Sequence, residues 1–476
     1  MQMDFSLVIP EIAISVLGLA VLILGLVLPA KYRPGLGWFT ALGLLVVTGL
    51  TIVNWNNIGS LYDDLYIVDQ FSQFLKITFL TAAFLVVLGS MRYVDKHLCG
   101  QSEYYSIMLF ATLGMMAMVS ANDFMTMYVG LELMTVSFII LVCFRRTETK
   151  SLEAGIKYVL LAGMSSAVLL YGLSLIYGIT GTVVVTEVGK TLAMQGTLPL
   201  LMLGVVMLVA GLGFKISAVP FHMWSPDIYE GAPTPITSFL AMGSKVASFA
   251  ILIRIFVIGM FGITLQWGLL LAILAAVTII VGNLVAIPQT NIKRLLAYSG
   301  VAQAGYILVG LVTASQDGVK GVLFYSFLYV FATVAAFTVV AHFYNVTGSD
   351  EIKDYAGLAR RSPMMAAVMI IAMLSMAGIP PLAGFVGKFY LFMTIVEQYL
   401  WLAIIGLVMS MVSVYYYLRV ALVMYRDEPL DSTPIAISAP VTVTLLVATL
   451  ATLFLGIYPG PLSELVNTAA HSFFMH

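Results

Sequence analysis

Long apolar stretches follow one another along the whole chain, and they constrain its fold more than any other feature. A helix that crosses the hydrocarbon core of a bilayer needs about 20 apolar residues. We count about fourteen stretches of this kind. The chain of 476 residues is 61% hydrophobic and only 9% charged, with a mean hydropathy of +1.03. We therefore predict a single all-α polytopic bundle in the lipid bilayer, with no room for a separate soluble domain.

The stretches are called segments 1 to 14 and lie near residues 8–29, 36–55, 72–91, 103–121, 124–144, 154–178, 199–221, 234–258, 265–287, 295–314, 320–344, 364–394, 400–424 and 435–457. Because the N-terminal MQMDF lacks a basic region, segment 1 is expected to be a retained helix and not a cleaved signal peptide.

The basic residues of the loops predict the orientation in the membrane. Alternate loops, all on one face, carry Lys31, Arg33, Arg92, Lys96, Arg145, Arg146, Lys150, Lys293, Arg294, Lys353, Arg360, Arg361 and Arg426. The opposite loops hold only Lys190 and Lys320, with Lys76 where segment 3 enters the membrane. By the positive-inside rule the basic face is cytoplasmic, so both termini are expected on the outer, periplasmic side. An even number of crossings agrees with that orientation.

Four charged residues lie deep within apolar segments. They are Lys215 in segment 7, Lys245 in segment 8, Lys388 in segment 12 and Glu132 in segment 5. A charge at bilayer depth costs about 2.5–3.5 kcal/mol on insertion scales, so it persists where it has a function. Four such residues in one chain indicate a path for ions or protons.

Segments 7 and 12 share an unusual composition. Segment 7 contains GLGFKISAVPFHMW and segment 12 contains MAGIPPLAGFVGKFY. Proline removes a backbone hydrogen bond and clashes with the preceding turn, so the helices are expected to break near Pro220 and near Pro380 and Pro381. Paired broken helices point to inverted repeats around a midplane ion site. The other possibility is that these prolines make ordinary kinks, which are frequent in membrane helices.

The spacing of the two breaks defines a division of the chain. Segments 7 and 12 are an odd number of crossings apart, so segments 4–8 are expected to be inverted relative to segments 9–13. The predicted units are three N-terminal helices (1–100), a first repeat with its break near Pro220 (101–260), a second repeat with its break near Pro380 (261–427) and a C-terminal helix (428–476).

Glu132 is the obvious partner for Lys215, because it is the only acid that the sequence places near mid-membrane. Burial lowers the pKa of a lysine and a nearby carboxylate raises it, so this pair could switch between holding and releasing a proton. A static ion pair that joins two helices is the alternative. Lys245 is flanked by Gly243 and Ser244, which leave space for water, whereas Lys388 has no acid in its own or either adjoining segment.

Three further side chains lie close to these charges or near the basic face. Lys157 follows Glu153 by one helical turn, which fits either a modulating residue or a surface ion pair. His222 and His342 lie near the basic ends of segments 7 and 11, where either could pass protons at neutral pH. His342 fits an ordinary interfacial histidine better.

Several classes of chemistry have no motif in this chain. We find no phosphate-binding glycine loop, no dinucleotide-binding turn after a strand, no zinc motif and no nucleophile elbow. Two cysteines cannot alone hold an iron–sulfur cluster or a four-cysteine zinc site. We therefore expect no metal and no cofactor in this chain and no nucleic-acid partner, and the energy for transport must come from a gradient or from partner subunits.

Several stretches together resemble a known family. They are SLEAGIKYVLLAGMSSA, GFKISAVPFHMWSPDIYEGAPTPITSFLAMGSK, GNLVAIPQTNIKRLLAYSGVAQAGY, AGIPPLAGFVGKFYLF and YYYLRVALVMY. The chain resembles the antiporter-like membrane subunits shared by respiratory complex I and multisubunit cation/proton antiporters, and within that family the bacterial NADH:quinone oxidoreductase members. The resemblance runs from about Tyr104 to Arg426.

The resemblance implies fourteen helices with two inverted five-helix repeats. It matches Glu132, Lys215, Lys245 and Lys388 to the proton-relay residues of the family, and Lys157 to a residue thought to modulate the first pair. One position departs from the family. Related sequences often carry histidine in segment 10 where this chain has Gln303, which can hydrogen-bond water but cannot titrate.

The function implied is proton translocation in the bacterial inner membrane, coupled to quinone reduction in other subunits. Neighbouring antiporter-like and small membrane subunits are the implied partners, and FMN, iron–sulfur clusters and quinone are expected in partner subunits. A sodium/proton antiporter subunit is an alternative, but sodium prefers oxygen ligands and only Glu132 qualifies. A hydrogenase, a non-NADH quinone complex and a passive scaffold remain further alternatives.

Overall fold

A computed structural model describes residues 4–195, 198–429, 431 and 433–475. Within these ranges the chain is a helical bundle, as predicted, with one short β-hairpin that the sequence did not predict. The helices from the first half are α1 (Ile9–Val27), α2 (Gly35–Val53), α3 (Gln70–His97), α4 (Gln101–Ser120), α5 (Phe124–Val142), α6 (Thr149–Thr180), α7 (Val185–Gln195), α8 (Pro199–Ile216), α9 (Trp224–Gly231), α10 (Thr234–Phe239) and α11 (Lys245–Ile253).

The second half continues with α12 (Thr264–Ala286), α13 (Ile292–Val309), α14 (Gln316–Thr347), α15 (Leu358–Arg361), α16 (Pro363–Ala377), α17 (Ala383–Met393), α18 (Leu400–Arg426), α19 (Ala439–Ile457) and α20 (Gly460–Phe473). The hairpin pairs β1 (Gly59–Leu61) with β2 (Tyr66–Val68) in antiparallel register, with Gly59 opposite Val68. Short 3-10 turns lie at Phe5–Val8, Ala30–Tyr32, Asn54–Asn56, Phe261–Ile263 and Ile352–Tyr355.

The helices have the length and composition of membrane spans. Among the described residues, eleven helical stretches are long and apolar enough to cross a bilayer. One of them, Thr234–Gly259, joins α10 and α11 through wider π-helical turns at Leu240–Ser244 and Arg254–Gly259. The chain is therefore a multi-pass membrane protein. Two of these spans are the most enclosed, with 94% of the most apolar stretch of each buried: Thr234–Gly259 and α14 (Gln316–Thr347). They therefore form the centre of the bundle.

Two helices are interrupted inside the bundle. α8 ends at Ile216, Ser217 adopts a positive φ of 62°, and the helical path resumes at Trp224. The indole Nε1 of Trp224 donates to the carbonyl of Phe214 at 2.8 Å, so one carbonyl released by the interruption keeps a partner.

The second interruption separates α16 from α17. Gly378 caps α16 with a φ of 87°, and Pro380 and Pro381 precede the start of α17. The carbonyl of Ala377 accepts a hydrogen bond from the Lys388 ammonium at 3.0 Å. The break therefore exposes a backbone acceptor that a buried cation can use.

Asp123 provides a test of how the start of α5 is held. Its Oδ1 accepts from the backbone N–H groups of Met125 and Thr126, both at 2.9 Å, at the start of α5. Asp123→Ala removes this cap and should lower stability by about 1 kcal/mol, while Asp123→Asn keeps the acceptor and should lose little. Thermal unfolding of the purified protein in detergent measures the difference. Equal unfolding temperatures for the alanine and asparagine variants would show that the cap contributes nothing.

Candidate functional site

Lys215 lies at the end of α8 and is 1% exposed. Its Nζ donates to the hydroxyl of Thr135 on α5 at 2.9 Å and lies 3.5 Å from the hydroxyl of Ser166 on α6. Ser166 in turn donates to Oε1 of Glu132 at 2.5 Å. The expected pair of Lys215 and Glu132 is therefore joined through a serine, and no direct ion pair links them in the described part of the chain.

This mediated arrangement has a chemical consequence. The Ser166 hydroxyl accepts from the ammonium and donates to the carboxylate, so a single side chain connects a proton donor to a proton acceptor. Because two hydroxyl groups surround Lys215 in place of a carboxylate, its positive charge is only partly compensated by direct contacts. Small movements of Ser166 or Glu132 can change how strongly Lys215 holds its proton.

Lys245 begins α11 and is also 1% exposed. Its Nζ donates to the carbonyl of Gly300 on α13 at 2.8 Å and lies 5.7 Å from the ring centroid of Tyr229. A Cβ atom at position 300 would lie 2.9 Å from this Nζ and 3.3 Å from the hydroxyl of Tyr329. Glycine at 300 thus lets the ammonium and a phenol approach the same stretch of backbone.

Lys388 lies on α17, beyond the second interruption, and is 4% exposed. Its Nζ donates to the carbonyl of Ala377 at 3.0 Å and to the hydroxyl of Ser410 on α18 at 2.9 Å. The ammonium also lies 4.2 Å from the ring centroid of Tyr306, a favourable cation–π position. Neutral groups alone therefore hold this cation among the described residues.

Polar side chains fill the space between Lys245 and Lys388. The hydroxyls of Ser299 and Tyr417 form a short hydrogen bond, and Nε2 of Gln303 lies 3.5 Å from the same Tyr417 hydroxyl. Gln303 also donates to the carbonyl of Met376 at 2.9 Å and accepts from the hydroxyl of Tyr325 at 2.5 Å. Gln303 is thus a buried junction between α13, α14, α16 and α18.

The region between Lys215 and Lys245 is aromatic. Tyr158 stacks on Trp224 with ring centroids 5.2 Å apart, and Trp224 meets Tyr229 edge to face at 6.2 Å. No chain of side-chain hydrogen bonds joins the two lysines across this region in the ranges that the structure covers. Polar side chains therefore lie between Lys245 and Lys388, whereas aromatic rings lie between Lys215 and Lys245.

The modulating candidates lie towards the face of the basic loops. Lys157 pairs with Glu153 at 2.7 Å and with Asp227 on α9 at 2.9 Å, and its side chain is 42% exposed. Arg294 contacts the other oxygen of Asp227 at 2.9 Å. Lys157 is therefore a surface ion-pair residue, as one alternative expected, but it also ties α6 to the short helix that follows the first interruption.

Both histidines are enclosed by the fold. His222 is largely buried and its ring lies 6.3 Å from that of Tyr298. His342 is 1% exposed and its Nε2 lies 3.0 Å from the carbonyl of Ala436. The segment before α19 therefore covers His342, and its assignment as an interfacial histidine stays a prediction.

Two buried ion pairs were missed by sequence reasoning. Lys76, near the start of α3, is fully buried and lies 2.6 Å from Glu11 on α1. Arg254 pairs with Asp69 at 3.2 Å, and both are buried. Arg254 lies within apolar segment 8, so the signal that identified Lys245 was also present for Arg254. The partners Glu11 and Asp69 lie too far away in sequence to be recognised.

Among the described residues, no three His, Cys, Asp or Glu side chains lie close enough together to hold a metal ion. The chemistry available at these sites is proton transfer among lysines, a carboxylate and hydroxyl groups.

Comparison with known proteins places these features in a family. The family model for the membrane domain of NADH:quinone oxidoreductase and Mrp antiporters matches residues 121–414. NADH-quinone oxidoreductase subunit N of Desulforamulus reducens is 64% identical over 475 residues, with 100% of both chains covered. A chain of respiratory complex I from Thermus thermophilus has 33% identity and a TM-score of 0.82, covering 96% of this chain and 99% of that one.

A chain of the Mrp complex from a Dietzia species shares the fold, with a TM-score of 0.88 at 20% identity, covering 99% of this chain and 98% of that one. The matched stretch contains Glu132, Lys215, Lys245 and Lys388. The chain belongs to the family of antiporter-like membrane subunits of NADH:quinone oxidoreductase and Mrp antiporters.

Proposed function

We propose that this chain is a proton-translocating membrane subunit of an NADH:quinone oxidoreductase. The observation that carries the proposal is the burial of Lys215, Lys245 and Lys388, each held by neutral hydroxyl, carbonyl or aromatic groups. A lysine without a bound carboxylate can lose its proton in a low-dielectric site and regain it when a charge approaches. The relatives named as subunit N support the same assignment.

This chain is proposed to cross the membrane fourteen times. The eleven spans account for most of them. α4 with 20 residues, α13 with 18 residues, and α16 and α17 taken together as one interrupted crossing supply the remainder. An even number keeps both termini on one side, proposed to be the outer, periplasmic side of the bacterial inner membrane.

Two inverted repeats are proposed within this fold, and the backbone supports them. Asp123 caps α5 and forms an isolated antiparallel bridge with Val184. Asn291 caps α13 and forms the same kind of bridge with Glu351. In the first repeat the residue that caps α5 pairs with the loop after α6. In the second repeat the residue that caps α13 pairs with the loop after α14.

The helices beside these caps match as well. α6 and α14 each contain 32 residues and each ends at a glycine with positive φ, Gly181 and Gly348. After one intervening short helix, the helix that leads to the interruption, α8 or α16, starts with proline in both units, Pro199 and Pro363. These correspondences support the division 1–100, 101–260, 261–427 and 428–476.

Proton movement is proposed to begin at the face of the basic loops. A polar cavity of about 490 Å³ lies there, lined by Arg145, Lys150, Glu230, Lys293 and Asp350 among others. Burial raises the pKa of Asp350 above its ordinary value. Protons are proposed to pass from Lys215 to Lys245 and then to Lys388, which releases them towards the opposite face.

Glu132 is proposed to control the first lysine. When its carboxylate accepts from Ser166, the serine hydroxyl oxygen is directed at Lys215 and stabilises the ammonium. Protonation of Glu132 weakens that arrangement and favours release from Lys215. Lys157 and His222 are proposed to modulate this exchange from the basic side, where Asp227 links Lys157 to Arg294.

The alternative is that this chain is a subunit of a multisubunit cation/proton antiporter. It shares its fold with a chain of the Mrp complex, which is compatible with that alternative. The contacts of Lys388 with neutral groups fit protons better than sodium, which prefers several oxygen ligands. Purification from native membranes followed by mass spectrometry of the attached subunits decides between them. We expect flavin and iron–sulfur subunits with neighbouring membrane subunits; small membrane subunits alone would support the antiporter.

Glu132→Gln tests the switch directly. Glutamine keeps the size of the side chain and can accept from Ser166, but it cannot titrate. We expect normal assembly and a sharply lower ratio of protons pumped to electrons transferred in proteoliposomes that contain the whole complex. Glu464→Gln, on the exposed surface of α20, is the matched control and should behave as wild type. Full pumping by an assembled Glu132→Gln complex would refute the switch.

Ser166→Ala tests whether the serine connects Lys215 to Glu132. Loss of its hydroxyl removes both hydrogen bonds at once, so pumping should fall while quinone reduction by the uncoupled complex continues. Ser165→Ala is the neighbouring control, since Ser165 donates to the carbonyl of Gly211 and does not contact either charge. Equal pumping by the two variants would mean that Lys215 and Glu132 communicate without Ser166.

A further inference from the structure

An apolar cavity of about 290 Å³ lies between α6, α8 and the segment that follows the first interruption. Two polar side-chain groups line it, and both donate to backbone carbonyls: the Ser165 hydroxyl to Gly211 at 3.0 Å and the Trp224 indole to Phe214 at 2.8 Å. Neither group has a donor left for water, so the cavity favours an apolar occupant. The apolar side chains that line it include Leu161, Met164, Val168, Phe214, Phe221 and Trp224.

The mouth of this cavity lies on the surface of the bundle. Met164 and Met223 line it and are largely exposed, whereas Trp224 is only 2% exposed and lies inside. Beside Met164, α6 presents the exposed apolar side chains of Leu160 and Tyr171, so this surface faces hydrocarbon in a bilayer. An apolar cavity of about 150 Å³ already stays dry and binds apolar molecules. An occupant is therefore expected to enter from the hydrocarbon.

A polar cavity of about 200 Å³ lies at the end of the same two helices that is nearer the basic loops. α6 contributes Lys157 to the polar cavity and Leu161 to the apolar one, and α9 contributes Asp227 to the polar cavity and Trp224 to the apolar one. Residues three or four apart on a helix share a face. The two cavities therefore lie in line along the bundle, and Leu161 is about 6 Å further along α6 than Lys157.

The charges of the polar cavity are balanced, and some of them have room for a further partner. Among the described residues, the Lys150 ammonium contacts only Glu230 and the Glu153 carboxylate contacts only Lys157. An ammonium has three donors and a carboxylate about four acceptor positions, so both exposed groups can bind a ligand as well. This pattern fits a headgroup that carries one phosphate and one primary ammonium. The charged residues that line the cavity are Lys150, Lys157, Arg294, Glu153, Asp227 and Glu230.

We propose that a phospholipid of the phosphatidylethanolamine type binds in the groove between α6 and α9. Its headgroup lies in the polar cavity, where Lys150 binds the phosphate and Glu153 accepts from the ammonium. One acyl chain fills the apolar cavity and packs against Trp224. This lipid site is separate from the proposed movement of protons and does not depend on it.

A bound acyl chain stabilises the interruption from its lipid side. Trp224 donates to the Phe214 carbonyl released at the end of α8, and its ring stacks on Tyr158 at 5.2 Å. Dispersion contacts along an acyl chain add to this packing. The lipid therefore acts as a structural ligand of the segment that follows Lys215.

A phosphatidylethanolamine with a diazirine in the middle of one acyl chain tests the site in native membranes that contain the assembled protein. After irradiation we expect an adduct on the Trp224 side chain, located by peptide fragmentation, because this residue is shielded from bulk lipid. Ala210→Leu enlarges a side chain in the cavity wall and should lower the adduct about threefold or more. Ala167→Leu adds the same volume on the exposed surface of α6 and should leave the adduct unchanged.

Two outcomes would overturn the lipid site. An absent Trp224 adduct would show that the cavity stays empty or holds a side chain of a neighbouring subunit. Equal yields for Ala210→Leu and Ala167→Leu would show that the lipid reaches Trp224 without entering the cavity.

A competition measurement needs no variant and decides the matter if Ala210→Leu fails to assemble. Unlabelled phosphatidylethanolamine should suppress the Trp224 adduct at a several-fold lower mole fraction than phosphatidylcholine, whose trimethylated ammonium cannot donate to a carboxylate. Glu153→Gln should reduce this preference, and Glu464→Gln on the exposed surface of α20 should keep it. Equal competition by the two lipids with the wild-type chain would contradict the proposed headgroup site.

Discussion

Burial of the lysine ammonium inside an apolar bundle is the constraint on which the rest of this structure depends. Each buried cation must find hydrogen-bond acceptors, and in a bilayer those acceptors must come from the protein or from water. At Lys388 the interrupted helix supplies a free carbonyl from Ala377. At Lys245 the absence of a side chain at Gly300 opens the backbone of α13. The breaks and the close helix contacts are therefore part of how the charges are accommodated.

The choice of neutral partners separates these lysines from the structural ion pairs of the same chain. Arg254 faces Asp69, and because arginine cannot release its proton under ordinary conditions, that pair is permanent. Lys215, Lys245 and Lys388 face hydroxyls, carbonyls and aromatic rings. Such partners stabilise an ammonium less than a carboxylate does, which is why we propose that these lysines change charge during transport. A permanent pair holds helices together, whereas a loosely compensated lysine suits transport.

The sequence was sufficient for the fold class, since the apolar stretches and the low content of charge leave few alternatives to a polytopic helical bundle. It also identified Lys215, Lys245 and Lys388 as charges deep within apolar segments, but it did not identify the buried Lys76. It did not reveal the β-hairpin at Gly59–Leu61 and Tyr66–Val68, because three-residue strands carry too little periodicity. Nor could it show that Ser166 stands between Lys215 and Glu132, because that depends on how three helices pack. Ser299 and Tyr417 are 118 residues apart, and serine and tyrosine are too common to mark such a contact in advance.

The most direct test of the account is proton release from a complex that lacks the last lysine. In proteoliposomes containing the whole complex with Lys388→Met, the number of protons released per quinone reduced is measured while an uncoupler-treated sample monitors electron transfer. If buried lysines carry protons in sequence, release falls although electron transfer in the uncoupled sample stays near wild type. Unchanged proton release from a fully assembled Lys388→Met complex would contradict the claim that the protons pass through this lysine.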